Sequence, residues 1–148
     1  MATYLSTELG GSANQTVAPV GYKPRASVYG GRLKRLRATV SLATQTTSDI
    51  LQLGNLPAGA VFAYGVINST VSLGTSTLAV GVSGATGQYR AAATFTSTDT
   101  PTMFGTAVQQ AGSDAGAATE TTVIGTIAVA SLPASGTLVV DLYYSLPN

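Results

Sequence analysis

The chain has no cysteine, no histidine and no tryptophan among its 148 residues. Without cysteine there is no disulfide and no thiolate ligand. Without histidine there is no imidazole base and no imidazole ligand. Together these absences exclude most hydrolase triads, zinc centres and haem ligation. Charge is scarce too: Asp, Glu, Lys and Arg make up 9% of the chain, against roughly 25% in an ordinary soluble domain. Long apolar runs are also missing. The longest, near Ala58 to Ile67, is about half of the ~20 residues a membrane helix needs, so no membrane span is expected. Met1 to Gly11 is polar, with no basic n-region and no apolar stretch, which argues against a secretory signal and for synthesis in a cytoplasm.

What fills the deficit is 22 Thr, 14 Ser, 22 Ala and 17 Gly, with hydrophobic residues at 45% and a mean hydropathy of +0.29. Thr favours half-exposed strands, and Ser and Gly serve turns. The composition therefore reads as all-β with an uncharged exterior. A length of 148 residues suits one domain with a core that needs no staples. A surface this poor in charge is weakly protected against self-association, so much of it is expected to meet other protein.

Two regions stand apart. Residues 1–31 hold Gly10-Gly11, Pro19, Gly21, Pro24 and Gly30-Gly31 with no apolar periodicity. They read as an extended N-terminal arm, with a frayed terminus as the alternative. Tyr4, Leu5, Leu9, Val17, Val20, Tyr22 and Tyr29 are spaced along it like anchors. Residues 32–148 form the expected β-sandwich domain. Charge divides in nearly the same place: Lys23, Arg25, Arg32, Lys34, Arg35 and Arg37 lie within residues 1–37 with Glu8, while the remainder holds Arg90 and five acids.

Period-two alternation begins at Leu36, with Leu36, Ala38, Val40 and Leu42 on one face and Arg35, Arg37, Thr39 and Ser41 on the other. A short strand is expected at Asp49 to Leu53, then a turn over Gly54 to Gly59. Ala60 to Asn68 is apolar on both faces, with Val61, Ala63, Gly65 and Ile67 set against Phe62, Tyr64 and Val66. Such a strand is central, or is covered on its outer side by another chain. Thr75 to Val82 alternates, Gly84 to Gly87 turns, and Gln88 to Thr96 is a further strand. Residues 97–118 read as irregular, with one helical turn at Ala107 to Ala111. Strands follow at Thr121 to Ala130 and Thr137 to Ser145, joined by a turn at Ser131 to Gly136. Six to eight short strands so arranged predict a sandwich, jelly-roll-like.

Chemistry finds little to work with. No Ser or Thr has a histidine partner, a Ser–Lys pairing with Lys23 or Lys34 lies among other cations, and no motif brings two acids together. Asp49 and Asp99, beside Ser and Thr, read as turn caps. Gly81, Gly84 and Gly87 lack the Lys and the helix of a phosphate loop, and no calcium loop is present. No catalytic residue, metal site or cofactor is expected, and the chain is not read as an enzyme. The basic cluster Arg32, Lys34, Arg35 and Arg37 has three readings: docking onto an acidic partner, a solvated face guarding a sheet edge, or nucleic-acid contact, for which the charge is small.

Leu56-Pro57-Ala58-Gly59-Ala60-Val61, then Gly74-Thr75-Ser76-Thr77-Leu78-Ala79-Val80-Gly81, then Gln88-Tyr89-Arg90 and a closing strand at Gly136 to Tyr144 resemble a family of small structural proteins of tailed bacteriophages, which includes head decoration (cement) proteins. The resemblance covers Leu33 to Ser145 and leaves out the arm. It implies a non-catalytic β-sandwich held on the outer surface of a phage head by the major capsid protein and sibling subunits, as a homo-oligomer such as a trimer. The candidate contacts are Tyr4, Leu5, Tyr22, Lys23, Arg25, Tyr29, Arg32, Lys34, Arg35 and Arg37. The competing expectation is a tail or fibre module binding a host surface, for which an exposed aromatic platform from Tyr64, Tyr89 or Tyr143 would speak.

Overall fold

The computed structural model describes residues 31–112 and 116–146. Tyr4, Leu5, Tyr22, Lys23, Arg25 and Tyr29 therefore lie outside the described residues, with nearly all of the expected arm. The elements follow in the order β1 (Leu33–Ser41), β2 (Ile50–Leu56), β3 (Val61–Ser69), β4 (Thr77–Val82), β5 (Ala85–Thr94), β6 (Thr102–Phe104), α1 (Ala107–Gly112), β7 (Thr121–Ala128) and β8 (Thr137–Ser145).

The strands form two four-stranded sheets, β1-β8-β3-β6 and β2-β7-β4-β5, packed over one shared core. This is the all-β sandwich expected from the composition. Pairing is antiparallel and nested: β1 with β8, β2 with β7, β3 with β6 and β4 with β5. The β3–β8 and β4–β7 ladders join these pairs into sheets.

Alternation explains the best-formed strands. In β8, Leu138, Val140 and Leu142 are wholly inaccessible, and the strand's bounds are those the periodicity predicts. In β4, Leu78 and Val80 enter the core, where they meet Val123 and Ile127 of β7. Burying each such side chain is worth about 1.5–3 kcal/mol, which offsets the ordering cost of a chain with few other stabilising contacts.

Several boundaries differ from expectation, each for a local reason. β2 does not stop at Leu53. A bulge between Gln52 and Gly54, with Gly54 at φ 145, lets the ladder run on to Leu56, so that Leu51, Leu53 and Leu56 are all buried. The turn is then only Pro57–Ala60, closed by Ala60 N–H donating to Pro57 O at 3.1 Å, with Gly59 at φ 81 in the third position of a type II turn. The chain reverses at Ser83–Gly84 rather than over Gly84 to Gly87, because Ala85 already pairs with Val82. The irregular segment contains β6, three residues between Pro101 and Gly105 that carry no periodicity of their own.

The expected helical turn is present as α1. Its start is a capping box: Thr106 N–H donates to Gln109 Oε1 at 2.9 Å, and Gln109 N–H faces Thr106 Oγ1 at 3.4 Å. The two glutamines then hold the helix on the sandwich. Gln109 Nε2 donates to Gly87 O at 3.1 Å and Gln110 Nε2 to Ala63 O at 2.6 Å.

β3 departs most instructively. Phe62 pairs with Tyr144 and Tyr64 with Tyr143, so Ala63 is an extra residue. Beyond it the faces exchange. Phe62 and Ile67 both enter the core, while Tyr64 and Val66 face outward, which corrects the alternation expected for Val61 to Ile67. On the inner side the Phe104 ring lies where a Gly65 side chain would stand, within 2.1–2.7 Å of a Cβ built there. Gly65→Val should therefore displace Phe104 and cost about 1–3 kcal/mol in urea unfolding. Adding Phe104→Ala to that variant should recover part of the loss relative to Phe104→Ala alone, whereas simple additivity would show that the ring is not the obstacle.

Candidate functional site

Of the predicted contact residues, Arg32, Lys34, Arg35 and Arg37 are described, and all four are exposed. Arg32 directly precedes β1. Within β1, Lys34 lies opposite Tyr144, Arg35 opposite Tyr143 and Arg37 opposite Asp141. Because side chains alternate along a strand, Arg35 and Arg37 share the outer face of the first sheet and Lys34 belongs to the other side. The cluster is thus an edge with two aspects rather than one patch.

Arg37 is engaged within the protein. Its Nε and Nη2 donate to Asp141 Oδ1 and Oδ2, both at 2.7 Å, a bidentate geometry suited to a guanidinium. This is the one ion pair recorded among the described residues. The hydrogen bond and charge of Asp141 hold the Arg37 pKa above its ordinary value. Asp141 itself is buried although it sits on an outward strand face.

Around this pair the outer face is apolar. Tyr64 and Tyr143 stack with ring centroids 4.6 Å apart and planes at 19°. The next row carries Val66 beside Asp141 and Met103, and Met103 is 67% exposed. Val139 follows, opposite Asn68. An outward face of an isolated antiparallel sheet is normally polar. The apolar outer side of β3 expected from the sequence is therefore real, even though the bulge changes which residues form it. Met103 went unseen because β6 is too short to show a period.

Tyr89 is no part of an aromatic platform. It is buried against Phe62, with centroids 4.8 Å apart, and burial raises its pKa. Tyr64 and Tyr143 each turn one ring face toward the other, which takes those two faces from any ligand. A recess of about 250 Å³ opens beside Tyr89, lined by Phe62, Val82, Ala117 and Thr121 among others, none of them charged. No group of three or more potential metal ligands occurs among the described residues, and no described helix is long and apolar enough to cross a membrane.

The four sheet edges are each blunted against strand addition, by charge, bulge or brevity. β1 carries Lys34, Arg35 and Arg37. β2 is bulged at Gln52/Gly54. β6 is three residues long and follows Pro101. β5 holds the extra residues where its register with β4 slips, between Leu78/Val80 and Val80/Val82. Arg90, which closes the Gln88-Tyr89-Arg90 motif and has no structural role legible from sequence, secures that last irregularity. Its Nη1 donates to Leu78 O and, at 3.1 Å, to Ala93 O, and its Nη2 to Thr94 O at 3.2 Å. Burial lowers its pKa. No sequence signal marks those carbonyls as needing a donor.

At the opposite end from α1, Asp49 caps its loop as expected. Its Oδ2 accepts from Thr46 N–H at 2.6 Å and from Thr46 Oγ1 at 3.0 Å, and these bonds hold its pKa below the usual carboxylate value. Nearby, Val129 has φ 71 and is 75% exposed. Ala130 N–H donates to Ala128 O at 2.9 Å across it, a γ-turn of the strained, positive-φ kind.

No protein-family model matches the chain, and no curated protein does. Solved structures do. A chain in the capsid asymmetric unit of cyanophage Pam1 is 26% identical, with a TM-score of 0.62, covering 92% of this chain and 96% of that one. A chain in the capsid of Ralstonia phage GP4 is 21% identical, with a TM-score of 0.64, covering 80% of this chain and 86% of that one. The second likeness is one of fold alone.

Two outcomes test this surface. Arg37→Met leaves the buried Asp141 carboxylate unpaired and should lower the calorimetric melting temperature, whereas Arg35→Met, on the same face without such a partner, should leave it unchanged. Val129→Asn, better suited to positive φ, should raise stability by about 0.5–1 kcal/mol in urea unfolding.

Proposed function

We propose that this chain is a structural subunit of a bacteriophage virion, and specifically a decoration (cement) protein on the outer surface of the head. The observation that carries this reading is the likeness to the chain in the cyanophage Pam1 capsid asymmetric unit, which runs over nearly the whole of both chains. The nested strand pairing supports reading the sandwich as a jelly roll, an architecture at home in viral capsids and lectins. A 9% charged composition supports a life spent against other protein. The lack of histidine and the uncharged recess support a role without catalysis.

Decoration is favoured over shell building by size. Strands of nine residues make a body only about 30 Å long, which suits a subunit riding on a lattice. Residues 1–31 form the arm and residues 32–148 the sandwich. The arm and the cationic β1 edge meet the major capsid protein and sibling subunits, and the subunits associate as a trimer. Many equivalent sites on one shell give avidity to contacts that are individually weak. The tyrosine stack takes one face of each ring from a host-binding tail module, and a net charge of +1 is small for nucleic acid.

Heads assembled from the major capsid protein of the same phage, but lacking this subunit, provide the test. The purified protein should bind them saturably and raise the temperature at which they open. Lys34→Glu with Arg35→Glu should weaken binding by about tenfold at low salt, with the difference shrinking as salt rises. Absence of binding overturns the decoration reading. Salt-independent binding unaffected by these substitutions would leave β1 as a solvated guard of its edge.

A further inference from the structure

We propose that the outer face of the first sheet is the docking site for the chain's own residues 1–30, which lie across the apolar strip formed by Tyr64, Tyr143, Val66, Val139 and Met103. The inference deepens the assembly reading above and rests on its view of residues 1–30 as an extended arm.

Three observations lead to it. The first is the strip itself: three neighbouring strands, β8, β3 and β6, present apolar side chains on a face that has no second layer among the described residues. The other sheet is less open on its outer side, because the main chain of Ala85 and Thr86 lies against Gly81 where a side chain would stand, and Ala79 beside it is buried.

The second observation is the state of the edges. All four are blunted by charge, bulge or brevity, so an added segment finds no inviting edge to extend and must be received on a face.

The third observation is where the segment begins. Residue 31 leads straight into β1, the edge strand of this same sheet. Arg35, four residues on, is opposite Tyr143, which is opposite Tyr64, so the chain enters about 13 Å from the tyrosine stack. Thirty residues reach up to about 100 Å when extended, whereas crossing four strands takes about 14 Å. Tyr4, Leu5, Leu9, Val17, Val20 and Tyr22 provide apolar anchors for that path.

The absence of cysteine makes the test direct. Full-length chains carry Met103→Cys with one of Leu9→Cys, Val20→Cys or Tyr22→Cys, and matched controls carry Val129→Cys in place of Met103→Cys. Both Met103 and Val129 are exposed apolar positions, but they lie far apart, so folding is perturbed little by either. Under mild oxidation at least one Met103→Cys pairing should form a disulfide about tenfold faster than its Val129→Cys control, as expected for a held neighbour. Migration on a non-reducing gel then tells whether the segment comes from the same copy or another. Adding Tyr64→Ser and Tyr143→Ser should return the rate to that of the control. If every Met103→Cys pairing oxidises no faster than its control, the proposal falls. Fast crosslinking in protein that ignores phage heads overturns the decoration reading and leaves this one standing. Head binding with control-level crosslinking does the reverse.

Discussion

The parity of β3 is the constraint on which the architecture turns. Ala63 is one residue more than the β8 ladder can pair, and that excess lets Phe62 and Ile67 enter the same core while Tyr64 swings out to Tyr143. A bulge leaves main-chain groups without ladder partners, and a carbonyl so freed must find a donor. Gln110 provides it. The short helix that carries Gln110 is set by the Thr106–Gln109 capping box, and Gln109 ties it to β5 as well. One extra residue thus links the inner packing, the outer aromatic pair and the helix at one end of the sandwich.

The sequence was most legible where alternation was uninterrupted. β1, β4 and β8 stand close to where their periods put them, because each has one face in the core, filled mostly by Leu, Val and Ala. It was least legible where the register slips. Ala63, Gly54 and the residues of β5 are ordinary in type, and nothing local says that a ladder will skip over them. β6 is defined by pairing with β3 and by Phe104 lying on Gly65, both long-range facts. The surface was legible in outline: an apolar outer side of β3 and a cationic β1 could be read. The pairing of Arg37 with Asp141, 104 positions away, could not, and it removes one of the four cations of the β1 cluster from those available to a partner.

The distribution of charge and the treatment of edges tell one physical story. A protein with so few charges cannot rely on repulsion to remain soluble. It instead withholds backbone hydrogen-bonding sites at its described edges by charge, bulge or brevity, and gathers a strip of apolar side chains on one sheet face, where packing demands shape rather than a free ladder. Association through such a face is selective. Association through an open edge would recruit any extended chain.

The nested pairing has a temporal side. β1 is made first and β8 last, yet they are neighbours, so the first sheet cannot close until nearly the whole chain has left the ribosome. Contacts this distant in sequence form slowly, and synthesis at about 5–20 residues per second leaves β1 waiting for several seconds. Through that interval Lys34, Arg35 and Arg37 put like charge along the unpaired strand, and like charge set opposite itself disfavours pairing with a second copy.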